Sequence, residues 1–301
     1  MTATQPSHKP RVAFVGTGIM GAPMCAHVLE AGYPTRIWNR SRLKADAFAA
    51  RGGIVCDSVS EAIGGADFVL CMLDTGDTID RVLFEAIADT EPAVNSLAES
   101  AVVIVMSSIS VETTVRHSSY LAARGVAYMD APVSGGERGA TEGTLTIMAG
   151  GDEAVCAQAQ PLLETMGCVT RVGPVGAGQL AKLVNQAIVG ITIGAVAEAL
   201  ILAQRGGADP ALVRAALLGG FADSTILRQH GQRMVEHAFA PGARAELQLK
   251  DLRNARLHAA QLGIELPFLC LAEQQFQRMC ERGLSQLDHS ALYLMLEQPD
   301  G

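Results

Sequence analysis

The chain has 301 residues, 49% of them apolar and 18% charged, with a formal net charge of −8. That length suits about two domains, and the apolar share excludes a disordered chain. The acidic balance argues against a nucleic-acid partner, which would need clustered Lys and Arg, and for solubility, and it says little else.

Taken in chain order, Met1 to Pro10 is polar and lacks the apolar segment of a secretory signal, so a short lead is expected there. Arg11–Gly16 reads as a strand and Met20–Ala31 as a helix. Thr35–Trp38 is a second strand, followed by a helix over Ser41 to Ala50. Phe68–Leu73, Val102–Met106, Val126–Asp130 and Thr144–Ala149 are further apolar strands. Strands that are apolar on both faces and alternate with helices predict a parallel, doubly wound sheet.

The pattern changes near Gly173-Pro174. A long helical run from Gln179 to Arg205 ends at Gly206-Gly207, a C-terminal stop. Helices are then expected over Pro210–Leu218, Ser224–Val235, Leu247–Leu262, Pro267–Arg282 and Leu287–Leu296. The fold class that follows is α/β, a Rossmann-type N-terminal domain over residues 1–173, joined to an all-α C-terminal domain over 174–301. Leu183 to Ala203 has the length of a membrane span, but Asn185, Gln186 and Glu198 would be costly in lipid. A buried helix of a soluble protein is expected instead, with no membrane partner.

The seven Cys are scattered and form no C-x-x-C pair, so they read as small buried hydrophobes of a cytoplasmic protein. The seven His show no metal-ligand spacing, and no metal is expected. No G-x-S-x-G follows a strand, which removes a nucleophilic serine elbow.

Gly16-Thr17-Gly18-Ile19-Met20-Gly21 is a G-x-G-x-x-G placed between a strand and a helix. Gly16 permits a tight turn, Gly18 close approach of a pyrophosphate, and Gly21 close packing of helix on strand. The helix N-terminus offers its N–H groups to phosphate. The second strand ends in Asn39-Arg40-Ser41, without the acidic residue that binds both ribose hydroxyls of NAD. Arg40 and Ser41 suit a 2′-phosphate, so NADP is preferred over NAD. A solvated loop charge is the plainer alternative for Arg40.

Three more motifs complete a set: Asp130-Ala-Pro-Val-Ser-Gly-Gly136, Gly178-Gln-Leu-Ala-Lys-Leu-Val-Asn-Gln186 and Lys250-Asp251-Leu252. With the glycine loop, and over about Arg11 to Leu296, this set resembles the β-hydroxyacid dehydrogenase family. That family includes 3-hydroxyisobutyrate dehydrogenases, tartronate semialdehyde reductases and, more distantly, 6-phosphogluconate dehydrogenases. Gly219-Gly-Phe-Ala-Asp-Ser-Thr-Ile-Leu227 and Asp288-His-Ser-Ala-Leu292 resemble the tartronate semialdehyde branch in particular. Relatives often carry Pro at the position of Asp74, where this chain departs from them.

The resemblance implies an NAD(P)-dependent oxidoreductase with Lys182 as its catalytic residue. Ser134, Gly135, Gly136, Asn185 and Gln186 would bind substrate, with helix–helix hydrogen bonding as the alternative for Gln186. Leu73, Ser108 and Lys250 would lie by the cofactor, and Asp251 would fix local structure. A lysine opening so apolar a helix has a chemical use: its ammonium can stabilise the charge that develops on a carbonyl oxygen and then donate a proton. The implied reaction is reduction of tartronate semialdehyde to glycerate, with 3-hydroxyisobutyrate oxidation or reduction of glyoxylate or succinic semialdehyde as alternatives. A non-catalytic cofactor-binding module is the alternative from another class, and the presence of Lys182 argues against it. Relatives also imply a homodimer or homotetramer.

Overall fold

The computed structural model describes residues 9–86 and 91–297. The polar lead expected over Met1 to Pro10 therefore lies outside the described residues as far as His8. The chain divides into two compact units, Met1–Lys182 and Leu183–Gly301.

In the first unit the strands are β1 (Val12–Val15), β2 (Thr35–Trp38), β3 (Ile54–Val55), β4 (Phe68–Cys71), β5 (Val102–Val105), β6 (Ala127–Asp130), β7 (Val133–Ser134), β8 (Leu145–Gly150) and β9 (Gly167–Gly173). Their order across the sheet is β3-β2-β1-β4-β5-β6-β8-β7, with β9 paired to β8. β1, β4 and β5 are buried at every position because both faces are covered. Phe14, Leu70 and Ile104 point into one apolar cluster, while Ala13, Val15, Val69 and Val103 point into the other.

Strands β1 to β6 pair in parallel, as expected. Beyond β6 the sheet becomes mixed, a departure from the all-parallel expectation. β8 runs antiparallel to β6 and β7, and β9 runs parallel to β8. The short β3 and β7 and the largely exposed β9 carry no continuous apolar run, so periodicity did not reveal them. The helix expected over Ser41 to Ala50 is broken into Arg42–Asp46 and a 3-10 turn, Ala49–Arg51, closed by Gly52 at φ 85°. Helices Val111–Ala122 and Glu153–Leu163 are capped by Ser110 and Asp152, whose side chains accept backbone N–H groups.

Helix Ala177–Arg205 is 29 residues long, and the division of the chain at Lys182 and Leu183 falls within it. The second unit continues with helices Pro210–Leu217, Thr225–Val235, Ala245–Gln261 and Pro267–Met279. The helix expected at Leu287–Leu296 is a 3-10 turn, His289–Tyr293, followed by Leu294–Glu297. Within this unit a Cβ on Gly190 would lie 2.9 Å from Gln248 Nε2 and 3.0 Å from Leu252 Cδ2, so two helices approach closely there. The long helix is apolar enough to cross a membrane by length and composition, with 28% of its most apolar stretch buried. The expected burial holds for one side of it, at Leu183, Ile193, Ala197 and Leu200. Val184, Ile188 and Leu202 are exposed.

Candidate active site

The glycine loop leaves the carboxyl end of β1, which is flanked by β2 and β4. This is where strand order reverses and where such sheets bind ligands. Gly16 has φ +100°, and a Cβ there would meet the Met72 carbonyl oxygen at 2.2 Å. A Cβ on Gly21 would lie 2.0 Å from the Gly16 carbonyl oxygen. Both positions therefore require glycine for backbone packing. Gly18 differs, because a Cβ there meets nothing within 4 Å. Its glycine leaves a cradle open above the first turn of helix Gly21–Glu30. Ile19 is exposed and Met20 half-buried beside it.

Asn39 braces this loop. Its Oδ1 accepts the Thr17 N–H at 2.9 Å, and its Nδ2 donates to the Ser41 carbonyl at 2.9 Å. The amide at the position of the usual acidic residue thus holds the glycine loop to the end of β2. Arg40 and Ser41 are exposed next to it.

The loops after β4, β5 and β6 are tied together by hydrogen bonds. The Leu73 N–H donates to Ser107 Oγ at 2.8 Å. Gln179 Nε2 donates to the Ser107 carbonyl at 2.8 Å, and Gln179 Oε1 accepts the Ile109 N–H at 3.0 Å. Ser108 lies between these two contacts. Asp130, at the end of β6, accepts the N–H of Gly176 at 2.8 Å and of Gln179 at 2.7 Å. These are N–H groups at the start of the long helix, so Asp130 caps it from another strand. Burial pushes the Asp130 carboxyl up to about 6, against the opposing pull of those N–H bonds. Asp130 and Gln179 stand in two of the motifs quoted from the sequence, but neither was given a role there. The available signals were a glutamine three residues before Lys182 and an acid ending an apolar strand.

Ser134 ends β7 and is half-buried, while Gly135 and Gly136 are exposed at φ +131° and +61°. Lys182 is half-buried on the long helix, three residues after Gln179.

The second unit brings Asn185, Gln186 and Lys250 into one hydrogen-bonded cluster. Asn185 Nδ2 donates to Gln186 Oε1 at 2.9 Å. Gln186 Nε2 donates to Gln248 Oε1 and Asp251 Oδ2, both at 3.0 Å, and Gln248 Nε2 returns a bond to the Gln186 carbonyl at 2.9 Å. Lys250 Nζ pairs with Asp251 Oδ1 at 3.2 Å. The helix–helix alternative for Gln186 is thus present, and Asp251 links Lys250 to Gln186.

Two other polar clusters lie outside these loops. His117, buried, meets Asp80 at 2.6 Å, and Arg116 holds the other Asp80 oxygen at 2.6 Å. Burial lowers the His117 pKa despite this carboxylate. In the second unit His230 Nε2 faces His289 Nε2, with Asp288 nearby. The Asp288 oxygens already accept from Gly242, Ala243, Ser290 and Arg233, which makes this carboxylate a loop clamp. Of the cysteines, Cys25, Cys56, Cys71 and Cys156 are buried as expected, whereas Cys168 is exposed and Cys270 and Cys280 are half-buried. Burial pushes the Cys25 and Cys71 thiols up to about 12.

Residues 11–173 match the NAD-binding domain of 6-phosphogluconate dehydrogenase. Residues 176–296 match the NAD-binding domain of NADP-dependent 3-hydroxyisobutyrate dehydrogenase. The chain is 40% identical to 2-hydroxy-3-oxopropionate reductase of Escherichia coli K12, over 95% of this chain and 97% of that protein. It is 32% identical to a probable 3-hydroxyisobutyrate dehydrogenase-like protein of Arabidopsis thaliana, over 96% and 85%. Among solved structures, Mycobacterium tuberculosis 3-hydroxyisobutyrate dehydrogenase with L-serine superposes with a TM-score of 0.85 at 30% identity, covering 96% of this chain and all of that one. The open cradle at Gly18, the strand reversal beneath it and these likenesses agree, and the chain belongs to the 3-hydroxyisobutyrate dehydrogenase-like, or β-hydroxyacid dehydrogenase, family of NAD(P)-dependent oxidoreductases that act on small hydroxy acids.

Proposed function

We propose that this enzyme reduces tartronate semialdehyde (2-hydroxy-3-oxopropanoate) to glycerate, with NADPH preferred over NADH. The observation that carries the substrate is the 40% identity, over nearly the full length of both chains, to the Escherichia coli 2-hydroxy-3-oxopropionate reductase. The bound nicotinamide supplies the hydride. The cradle at Gly16 to Gly21 would hold its pyrophosphate, Arg40 and Ser41 its 2′-phosphate, and Leu73, Ser108 and Lys250 would be the further cofactor residues. Ser134, Gly135 and Gly136 cradle the substrate carboxylate with backbone N–H groups and a hydroxyl. Lys182 directs its ammonium at the carbonyl oxygen, stabilises the charge arriving there and gives up the proton that completes the alcohol. Asn185 steadies the substrate hydroxyl, while Gln186 holds Asn185 against the neighbouring helix. Domain limits of 1–173 and 174–301 go with this reading, as does a homodimer or homotetramer that covers exposed Val184, Ile188 and Leu202.

A second reading, oxidation of a 3-hydroxy acid such as 3-hydroxyisobutyrate or serine, draws on the likeness to the L-serine complex. The test is a turnover assay with tartronate, methylmalonate and succinic semialdehydes and glyoxylate, each with NADPH and NADH. Highest kcat/KM for tartronate semialdehyde is expected. A lead for another aldehyde overturns the substrate and leaves the family intact.

A further inference from the structure

Gln179 is a neutral side chain with no exposure, and its polar atoms meet backbone groups of another loop. Its Oε1 and Nε2 bracket Ser108 by binding the Ile109 N–H and the Ser107 carbonyl. Its own N–H is bound by Asp130, and Ser107 Oγ extends the chain of bonds to the Leu73 N–H. An amide that accepts on one side and donates on the other satisfies both loop groups at once. A methionine of similar size offers neither bond, and a glutamate offers both only when it is protonated. The space around the helix start is equally closed. A Cβ on Gly178 would lie 2.4 Å from the Met148 carbonyl oxygen and 2.8 Å from the Asp130 carbonyl oxygen. The first turn of the helix that carries Lys182 is therefore packed closely against β6 and β8.

From these contacts we infer that Gln179, seated by Asp130, is a positioning residue: it sets Lys182 in register with the Leu73 and Ser108 loops. The inference rests on the assignment of Lys182 as proton donor and of Leu73 and Ser108 as cofactor-lining residues. Its logic is geometric. The amide clamps the β5 loop to a point one helical turn before Lys182, so loss of the clamp lets the cofactor loop and the lysine shift relative to each other. A misplacement near 1 Å is enough to cost about a hundredfold in rate.

The test compares the full-length enzyme with Gln179→Met, similar in size and unable to form either bond, and Gln179→Glu. For Gln179→Met, kcat with the best aldehyde substrate falls by about tenfold to a hundredfold, while KM for the aldehyde changes less than about threefold. The NADPH dissociation constant rises, since the Leu73 and Ser108 loops lose their common anchor. In Gln179→Glu the introduced carboxyl reproduces both bonds only when protonated, so its kcat relative to the parent climbs as pH is lowered. A folded Gln179→Met enzyme with parental kcat overturns the inference. Should that variant fail to fold, a Gln179→Glu profile parallel to the parent's overturns it. If the parent turns over none of the aldehydes, the proposed function fails by itself. Gln179 is then judged by coenzyme affinity, and an unchanged NADPH dissociation constant in Gln179→Met overturns its role.

Discussion

Asp130 Oδ2 accepts the backbone N–H of Gln179 at 2.7 Å, with both residues fully buried. A carboxylate at the end of one strand thereby caps a helix that begins 47 residues later. That single relationship ties the end of β6, four residues before Ser134, to the helix carrying Lys182.

The first prediction follows from this carboxylate. Its folded-state pKa, about 6, lies above the ordinary 3.8 because burial disfavours the charge. A raised carboxyl contributes stability that is fully present below pH 3.8 and is lost as pH rises through 6. The swing is roughly 3 kcal/mol. Urea unfolding of the parent and of Asp130→Asn across that window should show the parent's relative stability declining with rising pH. A constant difference would sink the assignment. Asp130→Asn itself should cost about 1–3 kcal/mol at low pH, because one helix N–H then faces an amide NH2.

Lys182→Ala should lower kcat by about a hundredfold to ten-thousandfold, the usual worth of a positioned proton donor. Lys182→Arg should not restore it, since a guanidinium does not release its proton in this range. Coenzyme titration should show both variants still binding NADPH. Near-parental turnover of Lys182→Ala with every semialdehyde tested would remove Lys182 from the chemistry.

The glycine loop predicts a split between two similar substitutions. Gly21→Ala forces a Cβ to within 2.0 Å of a carbonyl oxygen and should lower the melting temperature markedly. Gly18→Ala enters open space, so the fold should keep its melting temperature while coenzyme affinity drops by about tenfold. Equal behaviour of the two in thermal melts and coenzyme titrations would contradict the cradle.

Arg40→Ala should reduce the preference for NADPH over NADH by about tenfold, through loss of a charge-assisted bond to the 2′-phosphate. The check is the ratio of kcat/KM with each coenzyme. A ratio unchanged by the substitution would return Arg40 to the solvated loop charge.

The sequence by itself determined the layout. Buried strands such as Val102–Val105 are apolar at every position, and Gly16, Gly18 and Gly21 stand where strand passes to helix, so local pattern and turn chemistry were enough. Lys182, Asn185 and Gln186 were placed on one helix for the same reason. Tertiary structure alone decided which side chains meet. The reversal to antiparallel pairing beyond β6 depends on β8 returning beside Asp130, and β9 is too exposed to carry an apolar signal. Asn39 became a brace for Thr17, Gln186 a partner of Gln248 and Asp251, and Gln179 a clamp on Ser107 and Ile109. A hydrogen bond between residues tens of positions apart leaves no periodicity in the chain. It is set only when packing of the apolar faces brings the two backbones together.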